Sequence, residues 1–312
     1  MWLKALHVLY HLPPAEKTFE ELGSGLEKQP LNSCPSTVPL AYGWQHPAGS
    51  HENIIIDAGD YIISNFVVAK RVLPPDVVRQ TVADQVAKIE QQQGYAMSKR
   101  EMRKMQDQVH FELLPKAFVQ QKTYAVFWQK STKKLFIGTN QAGIIDLISQ
   151  SLAYCVPGWQ IKVIETNKLP DRQMAAWLLS NEVMPKNLAW GEACELQDRS
   201  NRFCKFKFTG TEVDCEDIKQ HVRDNMMINQ AALHWDDTCR FIWHTNNSIT
   251  QIKLTDIEKI QDDSLTEIER LIADLSLLTP IYAKLHIDLI EYLGGEKVSI
   301  QEEKAHSLVE SF

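Results

Sequence analysis

The sequence predicts an α+β fold, and three observations point to it. Short β-branched runs bounded by turn residues fill 1–72 and 117–165. Two amphipathic helical patterns stand between them at 74–114. Strand and helix patterns then mix over 170–260, ahead of an acidic helical end. The 312 residues are enough for one large domain or a few small ones. The boundaries fall at 1–73 plus 117–169 for a discontinuous central α+β part and 74–116 for a helical hairpin arm. A second α+β part follows at 170–296, then a loose polar tail at 297–312.

The elements follow in order. "MWLKALHVLYHL" reads as a first core strand and lacks the small-residue cleavage site of a signal peptide. "CPSTVPLAYGWQHPAGSHEN" is rich in Pro, Gly and Ser and reads as loop, and 1–72 as a whole reads as mainly β. "ENIIIDAGDYIISNFVVAKRV" holds two strands around the turn "DAGD". Pro74 and Pro75 can start a helix, whose face is Val78, Val82, Val86 and Ile89. Gly94 suits its C-cap. Ser98 and Glu101 form a capping box for a second helix with the stripe Met102, Met105, Val109 and Leu113, stopped by Pro115. The two make an αα-hairpin inserted into the surrounding sheet.

Beyond it, "TYAVFWQKSTKKLFIGT" reads as a β-hairpin with "KSTKK" at its tip. "AGIIDLISQSLAYC" reads as a helix and "QIKVIET" as a strand. In the second part "RQMAAWLLS" and "CEDIKQHVRDNM" read as helices. "NRFCKFKF", "AALHW", "CRFIWHT" and "ITQIKL" read as strands. From Leu254 onward thirteen acids face five Lys and Arg, and that helical end closes at "YLGGE".

Several function classes are excluded by composition. The longest apolar runs fall far short of the roughly 20 residues a spanning helix needs. There is no P-loop and no G-x-G-x-x-G. The six cysteines form no C-x-x-C pair, so reduced thiols in a cytoplasmic protein are expected, with no metal and no cofactor. His7, His11, His46 and His51 lack a motif-borne nucleophile. Trp128, Trp177, Trp190, Trp235 and Trp243 lie in apolar runs and read as core.

Charge is the informative feature. The chain carries a net charge of -7, yet residues 99–134 hold nine cations against three acids. That segment is therefore +6 and the remainder -13. Lys99, Arg100, Arg103 and Lys104 fan out beside and opposite the apolar stripe of the second helix. Lys116, Lys122, Lys130, Lys133 and Lys134 follow. The plain alternative is a solvated face with Asp107 pairing Arg103 or Lys104. A second basic stretch is "RFCKFKF", where Lys205 and Lys207 would share a strand face with Phe203, while Phe206 and Phe208 take the other. Arg202 precedes it. Such faces suit a nucleic-acid backbone, as they suit an ordinary exposed strand. Glu212, Asp214, Glu216 and Asp217 raise a metal-dependent nuclease as an alternative, though acids also favour a helix N-terminus. A third class is a scaffold whose acidic C-terminal part binds a basic partner.

"LLPKAF" at 113–118, after a basic amphipathic helix, resembles a segment of the recombination-associated protein RdgC family. So, in order, do "MWLKALHVLYHL", "GWQHPAG", "VLPPDVVRQTVADQVAKIEQQQG", "ALHWDDTCRFIW" and "LIEYLGGE". The resemblance covers essentially the whole chain. It implies a bacterial, nucleoid-associated, non-enzymatic protein. Such a protein forms a ring-shaped homodimer that encircles duplex DNA with little sequence preference and restrains RecA-dependent recombination. Single-stranded DNA is a further possible ligand. The implied DNA contacts are Lys99, Arg100, Arg103, Lys104, Lys116, Lys122, Lys133, Lys134, Arg202, Lys205 and Lys207. Phe118 matches the family phenylalanine that fills an apolar pocket at one dimer contact. One departure is "RFCKFKFTGT", which carries fewer cations than family members can have there.

Overall fold

The computed structural model describes residues 3–13, 19–31, 33–49, 53–255 and 265–297. The expectations for His51 and for most of the polar tail lie outside these residues. The fold is α+β, built on a large antiparallel sheet of twelve strands.

Its first half is organised around β4, Tyr61–Val72. The run "YIISNFVVA" is apolar without alternation because both faces of the strand are covered. Ile62 and Phe66 enter one core, and Ile63 enters the other. β5, Phe118–Gln129, pairs with β4 along its whole length, from Tyr61 opposite Gln129 to Val72 opposite Phe118. It divides its side chains the same way, Val126 and Trp128 to one core and Ala125 and Phe127 to the other. β6, Lys134–Ile137, completes the predicted hairpin. Lys133 turns the tip with φ +55°.

Two helices occupy the chain between β4 and β5. α2, Pro75–Gln93, has proline at its first turn and ends at Gly94, whose φ of +76° favours a residue without Cβ. α3, Lys99–Leu113, carries the predicted capping box. Ser98 N–H donates to the Glu101 carboxylate at 2.8 Å, and Glu101 N–H donates to Ser98 Oγ at 3.3 Å. Of the two apolar stripes only Val78 and Val109 are buried, while Met102 is exposed. Two helices alone cannot cover both faces.

β1, Ala5–Leu12, is the seam of the sheet. It pairs with β6, with β7 (Gln160–Val163) and, through Ala5 and Leu6, with β12 (Ile249–Leu254). From β12 the sheet continues through β11 (Cys239–His244), β10 (Met226–Trp235), β8 (Leu188–Asp198) and β9 (Lys205–Thr209), where it ends. α5 (Pro170–Leu178), α6 (Glu216–Arg223) and α7 (Glu267–Tyr292) contribute to the core on this side. α4 (Ala142–Cys155) fills the core behind β4 and β5 together with α1 (Phe19–Leu26).

Four sequence-based expectations are corrected by the fold. The Pro-, Gly- and Ser-rich segment expected as loop contains β2, Leu40–Gln45, paired with β4. Gly43 belongs there because an added Cβ would lie 2.5 Å from the Gln29 carbonyl oxygen. α1 interrupts a region expected to be mainly β, its glycines facing Ile55 and Val156. β8 lies in a stretch for which no strand was expected. Gly191 admits the close approach of Ala232 on β10, which would stand 2.9 Å from an added Cβ. Finally, β9 begins at Lys205, so Phe203 sits in the preceding turn and not on the strand face of Lys205 and Lys207.

Candidate nucleic-acid interface

The α3 cations are the most coherent group. Lys99, Arg100, Arg103 and Lys104 are all exposed, and none holds an ion pair among the described residues. The expected pairing of Asp107 with Arg103 or Lys104 is absent among them. The negative charge nearest the group is spent on the cap. Hydrogen bonds from Ser98 hold the Glu101 carboxyl below its usual range. The helix therefore presents four cationic side chains to solvent, beside and opposite its packing stripe.

The root of these helices is fixed by a residue that no sequence pattern singles out. The Arg71 guanidinium, on β4, donates to the carbonyls of Leu114, Pro115 and Ala117 at 3.2–3.3 Å. It also reaches the carbonyls of Cys34 and Pro35 at 3.1 Å. These include carbonyls freed where α3 runs into the short 3₁₀ turn Leu114–Lys116. Only a planar fork of five donors serves so many acceptors at once. A signal existed in principle, a lone arginine at the end of an apolar strand, but its partners are distant in sequence.

The remaining candidates scatter. Lys116 is exposed at the same root, and Lys122 is exposed on β5 opposite Val68. Lys133 is exposed on the β5–β6 turn. Lys134 is not available: its side chain is 11% exposed, and its ammonium donates to Glu296 at 2.7 Å and lies 5.9 Å over the Tyr10 ring. Lys130 is taken up by Asp57 at 2.8 Å. On β9, Lys205 pairs with Glu195 at 2.9 Å, while Lys207 and Arg202 are exposed without an ion pair among the described residues. β9 is separated from β5 by six strands in the sheet order. The structure thus brings together the α3 cations alone, with Lys116 past the opposite end of that helix and Arg202 and Lys207 at the far sheet edge.

Phe118 is 87% exposed and lies outside the core. It opens β5 opposite Val72, which is itself exposed, as is Val119. The tryptophans behave as expected: Trp128 is buried in one core, and Trp177, Trp235 and Trp243 are buried in the other, against which Trp190 packs.

The acids at 212–217 do not form a metal centre. Glu216 and Asp217 occupy the first turn of α6, and Glu216 pairs with Arg223 on the same helix. Among the described residues no group of three or more His, Cys, Asp or Glu is arranged to hold a metal ion. All six cysteines are free. Burial pushes the Cys194 and Cys239 thiols up to about 12. Among the described residues no helix is long and apolar enough to cross a membrane.

Comparison with known proteins finds relatives along nearly the whole chain. A family model described as "Putative exonuclease, RdgC" matches residues 1–296. A "Recombination-associated protein RdgC" of Dechloromonas aromatica is 27% identical over 305 residues, covering 96% of this chain and 99% of the relative. Proteins of the same name from Cupriavidus pinatubonensis and Tolumonas auensis are 26% and 24% identical, each over 95% of this chain and 99% of the relative.

Proposed function

Because the chain belongs to the RdgC family, we propose that it is a non-enzymatic, sequence-neutral DNA-binding protein acting in recombination. In this reading two copies form a ring around duplex DNA and restrain RecA-dependent recombination in the bacterial nucleoid. The observation that carries it is the set Lys99, Arg100, Arg103 and Lys104. These are exposed, unpaired cations on one helix of a chain with net charge -7. Free ammonium and guanidinium groups gain most from phosphates, because no internal ion pair has to be broken first. The acidic remainder disfavours DNA elsewhere on the surface.

A ring also supports the scattered positions. Arg202 and Lys207 lie far from α3 within one protomer, and a second copy would bring further cations to the same duplex. The exposed Phe118 supplies an aromatic anchor of the kind that closes interfaces.

The test combines two readouts. In RecA strand exchange the protein is expected to slow product formation in proportion to its occupancy of duplex DNA. Incubated with labelled DNA and Mg²⁺ or Mn²⁺, it is expected to leave the DNA intact. Degradation abolished in an Asp214→Ala, Asp217→Ala double variant would replace this reading with that of a nuclease. Unaltered strand exchange at saturating protein would remove the restraint of RecA.

A further inference from the structure

The turn between β8 and β9 exposes a phenylalanine more fully than any other large hydrophobic among the described residues: Phe203 is 97% exposed. The turn that carries it is a built one. Asp198 Oδ1 accepts from the N–H groups of Ser200 at 2.6 Å and Asn201 at 2.9 Å. Asn201 Oδ1 accepts from Phe203 N–H at 3.1 Å. Backbone bonds from Asp198 N–H to the Cys204 carbonyl and from Cys204 N–H to the Asn201 carbonyl close it, both at 3.0 Å. Arg199 ties its shoulder to the buried Asp171 carboxylate at 3.2 Å. The ring is therefore held out by structure while remaining unpacked.

Its surroundings select a partner. Arg202 and Lys207 are exposed with no ion pair among the described residues. Beyond the turn, Phe206 is exposed on β9, its ring stacked on His221 with centroids 4.9 Å apart and planes at 28°. One open aromatic face beside unpaired cations fits a polyanion whose own flat faces are open. Single-stranded nucleic acid has such faces, whereas duplex bases are covered by their neighbours. An apolar protein surface would gain from Phe203 but not from the cations beside it.

We propose that the 198–207 turn and edge strand form a single-strand subsite, with Phe203 stacking on an unpaired base and Arg202 and Lys207 holding the flanking phosphates. This rests on the DNA-binding reading above and adds to it a separate place for a displaced or unwound strand.

The test compares oligothymidylate with an abasic oligomer of equal length and equal phosphate count, by anisotropy at fixed salt. A blunt duplex is measured alongside. Wild type should bind oligothymidylate more tightly than the abasic chain by roughly 5- to 150-fold, the equivalent of one stacked base. Phe203→Ala should lose that preference while keeping its affinity for the abasic chain and the duplex. Phe203→Trp should retain it. Equal binding of oligothymidylate and abasic chain by wild type, with duplex binding intact, would overturn the subsite alone. So would an unchanged preference in Phe203→Ala, or a lower mass for that variant in light scattering, which would make Phe203 a contact between copies. Failure of wild type to bind any of the three would overturn the DNA-binding reading as well.

Discussion

Lys134 on β6 donates its ammonium to the Glu296 carboxylate at 2.7 Å, joining the hairpin of the first half of the sheet to the segment that follows α7. A basic residue in a basic stretch is thereby turned into a structural tie. Lys134→Ala should cost about 1–2 kcal/mol in urea unfolding, because Glu296 loses a charge-assisted bond in a partly shielded place. Its duplex affinity should match wild type. A variant that unfolds like wild type but binds DNA poorly would return Lys134 to the DNA surface.

Arg71 does comparable work at the root of α2 and α3. Arg71→Ala takes the guanidinium donor from the carbonyls of Pro115 and Ala117 and leaves Leu114 with the Ala117 N–H alone, for an expected loss of about 1.5–3 kcal/mol. Arg71→Lys should recover only part, since a single ammonium cannot reproduce the fork. Hydrogen exchange should quicken first in the last turn of α3 and the opening of β5. Uniform protection in both variants would show that the root is held by something else.

Phe118 makes a different kind of claim. At 87% exposure it contributes little to the folded monomer, so Phe118→Ala should change stability by only about 0.5 kcal/mol. Self-association should weaken by about 2 kcal/mol or more, roughly 30-fold, as read by sedimentation on dilution. A variant as tightly associated as wild type would end the anchor role.

Buried histidines give the fold a pH dependence of known sign. Burial lowers His11 to about 4 and His286 to about 3, and lowers His7 as well. Above the ordinary histidine range folded and unfolded chains bind no extra proton here, and this stability is fully present. Between about 6.5 and 4 the unfolded chain takes up protons that the folded chain refuses, so stability falls with pH. The urea midpoint should drop across that window, before carboxylates such as Glu195 titrate. His286→Leu should flatten the slope, and an unchanged slope would show that His286 does not stay neutral in the fold.

The local rules of the sequence carried far. Ser98 with Glu101 and Gly94 placed the ends of α2 and α3, and the helix read in "AGIIDLISQSLAYC" spans the same residues as α4. What escaped was set by contacts remote in sequence. Gly43 and Gly191 look like breakers but sit inside strands, where another backbone or side chain approaches too closely for a Cβ. The α3 cations were legible because charge and helical phase are local properties. The removal of Lys134 was not, since Glu296 lies 162 residues away. Nor was the role of Arg71, whose acceptors come from two separate segments.

Duplex binding as a function of salt is the most direct measurement, made on wild type and on Arg100→Glu, Arg103→Glu, Lys104→Glu, with light scattering for mass. Wild type should be a dimer whose affinity falls steeply and linearly in log salt for any sequence. The triple variant should bind all sequences more weakly, with a slope shallower by roughly 0.9 for each phosphate it no longer neutralises. A folded triple variant with unchanged affinity and slope would contradict the placement of DNA on α3. A wild-type protein that ignores duplex DNA even at low salt would contradict the DNA-binding function itself.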